Sequence, residues 1–110
     1  MKAIKAYVHQ HRAAAVIEAI QATRAWARQA VGHHLSVTAA QGTLAATDPA
    51  ERHYSLELGL AVVRESRIEL HCDDDGVDEL VAAITAAART GQPCAGRIEV
   101  SDVLALHTIQ

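Results

Sequence analysis

Residues 66–100 constrain the fold of this chain most tightly, because a period-two pattern, a helical stripe and a second β-rich run follow one another there. Ser66 to Cys72 alternates, with Ile68 and Leu70 on one face and Arg67, Glu69 and His71 on the other. That is the pattern of a half-buried strand. Asp73-Asp74-Asp75-Gly76-Val77-Asp78-Glu79 follows as an acidic helix start, where carboxylates cap free N–H groups and oppose the helix dipole. The run lacks the spacing of a calcium loop, so capping is the role it predicts. Val77, Leu80, Val81, Ile84 and Ala88 then form one apolar stripe at helical spacing. Arg89 falls in the last turn, and Gly91 sits where a C-cap glycine belongs. Ile98 to Val100 predicts the next strand, and Val103 to Leu106 a short edge piece.

The first half repeats the order. Lys2 to Val8, with Ile4, Tyr7 and Val8, predicts a strand. Val16, Ile17 and Ile20 share a side with Ala13, Ala19 and Ala27, which predicts a helix from about residue 13 to about 30. Gly32 stops it, and Trp26 anchors it to the body or to an interface. Leu35-Ser36-Val37-Thr38 predicts a second strand. From Gln41 to about Glu57 the chain carries Gly42, the turn signal Thr47-Asp48-Pro49 and the polar run Glu51 to Ser55. So long a connection inside a compact domain is often functional. Strand, helix, strand, strand, helix, strand is the split βαβ order. The expected class is therefore α+β, ferredoxin-like βαββαβ, with two helices on one face of an antiparallel sheet.

At 110 residues, 1–110 reads as a single domain. Half the residues are apolar, but many of these are alanine and there is no phenylalanine. Such a core needs tight packing or a subunit interface. The net charge of −3, with few aromatic side chains, gives no basis for nucleic-acid binding. No apolar run reaches membrane-spanning length, so the chain is not expected to be membrane-inserted. Met1-Lys2-Ala3-Ile4 leads straight into patterned sequence, which predicts a cytoplasmic protein. Cys72 and Cys94 are far apart in sequence, and free thiols in a reduced compartment are the default.

Three features bear on chemistry. Arg89-Thr90-Gly91-Gln92-Pro93-Cys94-Ala95-Gly96-Arg97 is a shaped loop between helix and strand. It is either an ordinary cap and turn, or a set of bared N–H groups beside a guanidinium that suits phosphate or another oxyanion. The chain has seven histidines. His9-Gln10-His11 places two imidazoles on one side of extended chain, a geometry that binds transition metals. The plain alternative is surface and interface histidine. Cys94, in the same loop, is either a redox-responsive thiol or a small residue filling a turn. No nucleophile with a spaced base and no paired catalytic carboxylates stand out, so an enzyme is not expected.

The sequence resembles the PII signal-transduction family over nearly its whole length. Met1-Lys2-Ala3-Ile4-Lys5-Ala6-Tyr7-Val8 resembles the family's first strand, and Val16-Ile17-Glu18-Ala19-Ile20 its first helix. Gly42 resembles the glycine that opens the long T-loop, and Arg67-Ile68-Glu69-Leu70 the family's Lys-Ile-Glu-Ile. Thr90-Gly91 to Gly96-Arg97-Ile98 resembles the B-loop, and Ser101-Asp102-Val103 the family's Phe-Asp-Val. The resemblance implies a homotrimer that binds adenine nucleotides (ADP, AMP or ATP) in intersubunit clefts. It implies a flexible T-loop-like segment, about residues 42–65, that grips a partner such as a membrane transporter or an enzyme. Carried over by position, Ser36, Gly42, Glu69, Cys94, Ala95, Gly96 and Arg97 fit the nucleotide site. Ser36 stands for a threonine that contacts adenine. Cys94 and Ala95 occupy positions whose N–H groups face phosphates. His71 would lie near the adenine.

The departures mark a divergent PII-like branch. The uridylylated tyrosine of enteric members falls at Leu58. The glutamine that helps hold Mg²⁺ and 2-oxoglutarate falls at Ala46, and a lysine near the T-loop base at Glu65. Two C-terminal arginines fall at Thr108 and Gln110, and the first B-loop lysine at Gln92. Losing these charge-assisted contacts weakens ATP more than ADP or AMP. Such branches are associated with transporters and small signals, including bicarbonate. Arg97 beside the amide loop offers a place for that anion. The alternatives to a nucleotide regulator are a trimeric metal-responsive regulator built on the histidines, and a purely structural adaptor.

Overall fold

The computed structural model describes residues 1–29 and 34–110. Among the described residues, five strands and three helices make a mixed α+β fold: β1 (Lys2–His9), α1 (Ala13–Gln21), α2 (Arg24–Ala27), β2 (Leu35–Gly42), β3 (His53–Ser55), β4 (Leu60–Cys72), α3 (Val77–Ala88) and β5 (Gly96–Asp102). Single 3-10 turns occupy Gln10–Arg12, Pro49–Glu51 and Asp74–Gly76. All strand pairs are antiparallel, in the order β2-β4-β1-β5, and β3 pairs separately with β4.

Alternation along β1 explains its central place. Ile4, Ala6 and Val8 point to one face and are buried, while Lys5 and Tyr7 point to the other. In register, Val37, Ile68, Ala6 and Ile98 line up across the sheet. The helices pack on that face through Val16, Ile20, Trp26, Leu80, Ile84 and Ala88. Side chains such as Ile20, Ile68, Leu80 and Ile84 have no exposed surface, and each contributes about 1.5–3 kcal/mol of burial. Trp26 anchors the helical layer as the sequence predicts. The opposite face is polar. Its rows read Ser36–Glu69–Lys5–Glu99 and Thr38–Arg67–Tyr7–Arg97.

Several local expectations need correction. The first helix does not run unbroken to residue 30, because the chain leaves helical geometry at Thr23, with φ −77° and ψ 154°. Thr23 Oγ1 donates to the Ile20 carbonyl at 2.7 Å and accepts from Trp26 N–H at 3.1 Å, ending α1 and capping α2. The expected stop at Gly32 lies outside the described residues. The acidic run places Asp78 and Glu79 in the first turn of α3, where they oppose its dipole, but no side chain caps that helix, whose N-cap is Gly76. Glu79 instead reaches α2, accepting from the N–H groups of Arg24 (3.0 Å) and Ala25 (2.9 Å). Those two donors hold its carboxyl below the ordinary range. Gly91 is not the helix cap. α3 ends at Ala88, and Arg89 turns into extended backbone. Val103 to Leu106 forms no strand, and Val103 only donates its N–H to the Met1 carbonyl. The long connection holds a 3-10 turn and β3 before the chain enters β4.

Candidate functional site

Gly42, the last residue of β2, pairs with Val63 on β4. A Cβ there would overlap the Glu65 carboxylate, so only glycine lets the strand lie against that side chain. Glu65 is buried, and its Oε2 accepts the Leu44 N–H at 3.1 Å. One residue on, the Ala45 N–H donates to the Cys94 carbonyl at 3.3 Å. Chain leaving β2 is thus tied first to β4 and then to the loop before β5. The sequence marks Glu65 only as a charge reversal; its anchoring role emerges from the fold.

The loop itself is tightly turned. Gly91 has φ +85°, and Cys94 has φ +55°, in the left-handed region that suits glycine. Thr90 Oγ1 accepts the Gln92 N–H at 3.4 Å. A Cβ on Gly96 would fall 2.7 Å from the Tyr7 carbonyl oxygen, so close strand approach also requires that glycine. Arg97 lies on the polar face, its guanidinium 5.5 Å from the Tyr7 ring centroid, within cation–π range. Ala95, Gly96 and Arg97 line a cleft of about 320 Å³ with Thr85 and Arg89.

Ser36 and Glu69 face each other across β2 and β4. Glu69 also pairs with Arg67 Nε at 3.0 Å and lines a shallow groove of about 190 Å³ with Lys5, His71 and Glu99. The His71 carbonyl accepts Gln29 Nε2 at 2.7 Å. A single chain therefore brings Gly42 and its following residues to the Cys94 loop. It leaves Ser36 and Glu69 separated from Arg97 by β1.

A second cluster lies where β1 ends. His9 is buried and His11 exposed, with ring centroids 5.3 Å apart. His11 sits in a 3-10 turn rather than in extended chain, yet the turn still brings the rings together. Glu51, from the long connection, places a carboxylate oxygen 3.4 Å from His9 Nδ1. The sequence pairs His9 with His11, but only the fold supplies Glu51.

Neither cysteine forms a disulfide. Burial, helped by Asp73, pushes the Cys72 thiol up, which keeps it a packing group. Among the described residues, no helix is long and apolar enough to cross a membrane. Comparison with protein-family models and with curated proteins finds no match for this chain.

Proposed function

We propose that this chain is a PII-like regulatory protein of ferredoxin-like βαββαβ topology, and that it acts by binding rather than by catalysis. In this reading it forms a homotrimer with an adenine nucleotide in each intersubunit cleft. The observation that carries it is the bond from Ala45 N–H to the Cys94 carbonyl. That bond sets the base of the long connection against the glycine-bearing loop, so both can face one phosphate chain. The split between Ser36–Glu69 and Arg97 fits a site completed by a neighbouring subunit. Ser36 and Glu69 would hold the base and sugar end. Backbone amides of Cys94, Ala95 and Gly96, with Arg97, would hold phosphate, and a small anion such as bicarbonate suits the same donors.

The connection ends in a hairpin whose apolar side chains face solvent. Tyr54 is 63% exposed, Leu56 90% and Leu58 51%. Such a tip suits a protein partner, for which a membrane transporter or an enzyme remains the reading. Calorimetry on the full chain tests the nucleotide assignment. ADP or AMP should bind at least as well as ATP, and Arg97→Ala should weaken that binding. Firm ATP binding with Mg²⁺ and 2-oxoglutarate, with none for ADP or AMP, would refute the branch assignment. Unchanged affinity in Arg97→Ala would remove Arg97 from the site.

A further inference from the structure

We propose that His9, His11 and Glu51 form a binding site for a borderline divalent metal ion of the Zn²⁺ type, and that the ion fastens the long connection to the end of β1. The argument begins with His9. It is 1% exposed; among the described residues its Nε2 has no hydrogen-bond partner, and its Nδ1 faces only the Glu51 carboxylate, at 3.4 Å and without hydrogen-bond geometry. Buried imidazole nitrogens are ordinarily satisfied, because leaving one unpaired costs about 1–3 kcal/mol. His9 therefore points to a ligand.

Its surroundings supply the rest of a donor set. One ligand atom from each of His9, His11 and Glu51 lies within 4.8 Å of the others. The 3.4 Å between His9 Nδ1 and the Glu51 oxygen matches the edge of a tetrahedron with bonds of about 2.0–2.1 Å, roughly 3.3 Å. Two imidazoles and one carboxylate are the donors that Zn²⁺, Ni²⁺ and Cu²⁺ accept, and they lack the oxygen-rich shell that Ca²⁺ or Mg²⁺ needs. The carboxylate offsets part of the ion's charge. A cleft of about 420 Å³, lined by His11, Glu51, His53 and Arg64, opens on the cluster. The fourth position thus faces solvent, where His53, water or an anion drawn by Arg64 completes the shell.

The three ligands come from two parts of the chain. His9 and His11 belong to β1 and the turn after it, and Glu51 to the 3-10 turn before β3. Binding an ion there closes a loop between the sheet and the arm, which gives the metal a structural effect on the proposed partner surface. None of these residues belongs to the nucleotide assignment, so the two proposals succeed or fail separately.

The test uses untagged full chain, stripped with chelator and titrated with Zn²⁺ by calorimetry, with Co²⁺ as the absorbing probe. One ion per chain is expected, with the visible bands of four-coordinate Co²⁺. His11→Ala and Glu51→Gln, both outside the fully buried core, should each weaken binding at least about 10–100-fold, the loss that even outer-shell changes cause. His107→Ala should leave it unchanged. Zn²⁺ should also slow tryptic cleavage after Arg52 in the unmodified chain but not in Glu51→Gln. Absence of Zn²⁺ binding at micromolar concentrations, or binding indifferent to both substitutions, overturns the site. Equal cleavage with and without Zn²⁺ overturns the fastening.

Discussion

Replacing Gly42 with alanine tests how the base of the connection is held. The new Cβ would overlap the Glu65 carboxylate, and Glu65 cannot yield freely, because it is buried and accepts the Leu44 N–H at 3.1 Å. Either the strands are pushed apart, an overpacking cost of about 1–3 kcal/mol, or the carboxylate swings out and forfeits a charge-assisted hydrogen bond worth about 1.5–3 kcal/mol. Gly42→Ala should therefore destabilise the fold by about 2–3 kcal/mol. For a chain of 110 residues that is a fall of roughly 10–15 °C in Tm. The sign should reverse once Glu65 is truncated. In a Glu65→Ala background the added methyl meets no carboxylate, and alanine is favoured over glycine within a strand by about 0.5–1 kcal/mol. Urea denaturation of the four proteins at one fixed chain concentration measures the coupling, expected at about 2 kcal/mol or more. An equal cost of Gly42→Ala in both backgrounds would refute the reasoning.

Two further substitutions probe the loop and the helical layer. Cys94→Gly should raise stability by about 0.5–1 kcal/mol, because the left-handed backbone at φ +55° costs a side-chain-bearing residue about 1–2 kcal/mol and glycine's added chain entropy returns only part of it; a lower Tm would contradict this. Glu79→Gln should lower stability near neutral pH and flatten the acid limb of the stability curve. Glu79 is held below its ordinary value of 4.5 by the Arg24 and Ala25 N–H groups, so its contribution is full above pH 4.5 and is lost as pH falls through the lower folded value. A gap between the two proteins that stays constant down through that range would count against the bridge to α2.

Much of the sheet was legible because its strands carry their own period. Ile4, Ala6 and Val8 on β1, and Ile68 and Leu70 on β4, alternate cleanly, and the α3 stripe needs no tertiary information. The break at Thr23 was not legible. Alanine, arginine and glutamine on both sides favour helix, and the donors that Glu79 satisfies belong to a segment far away in sequence. His53-Tyr54-Ser55 has no apolar alternation of its own, and pairing with Leu60 to Val62 makes it a strand. In the site, glycine positions could be read from the loop pattern. What Gly42 and Gly96 avoid, the Glu65 carboxylate and the Tyr7 carbonyl, required the register of the sheet. Glu51 escaped for the same reason, since nothing near it in sequence announces His9.

The length of β4 has a structural consequence. It runs without interruption from Leu60 to Cys72, with neither glycine nor proline between them. At about 3.3 Å per residue it covers some 40 Å, nearly the full 43 Å long dimension of the molecule. Its far end pairs with β1 and β2 over the core, and its near end carries β3 alone. The arm is therefore a direct continuation of a sheet strand, reaching past β1 and β2 by Leu60 to Val62. A partner bound at the tip would thus sit on the same unbroken strand that carries Glu65 and Glu69.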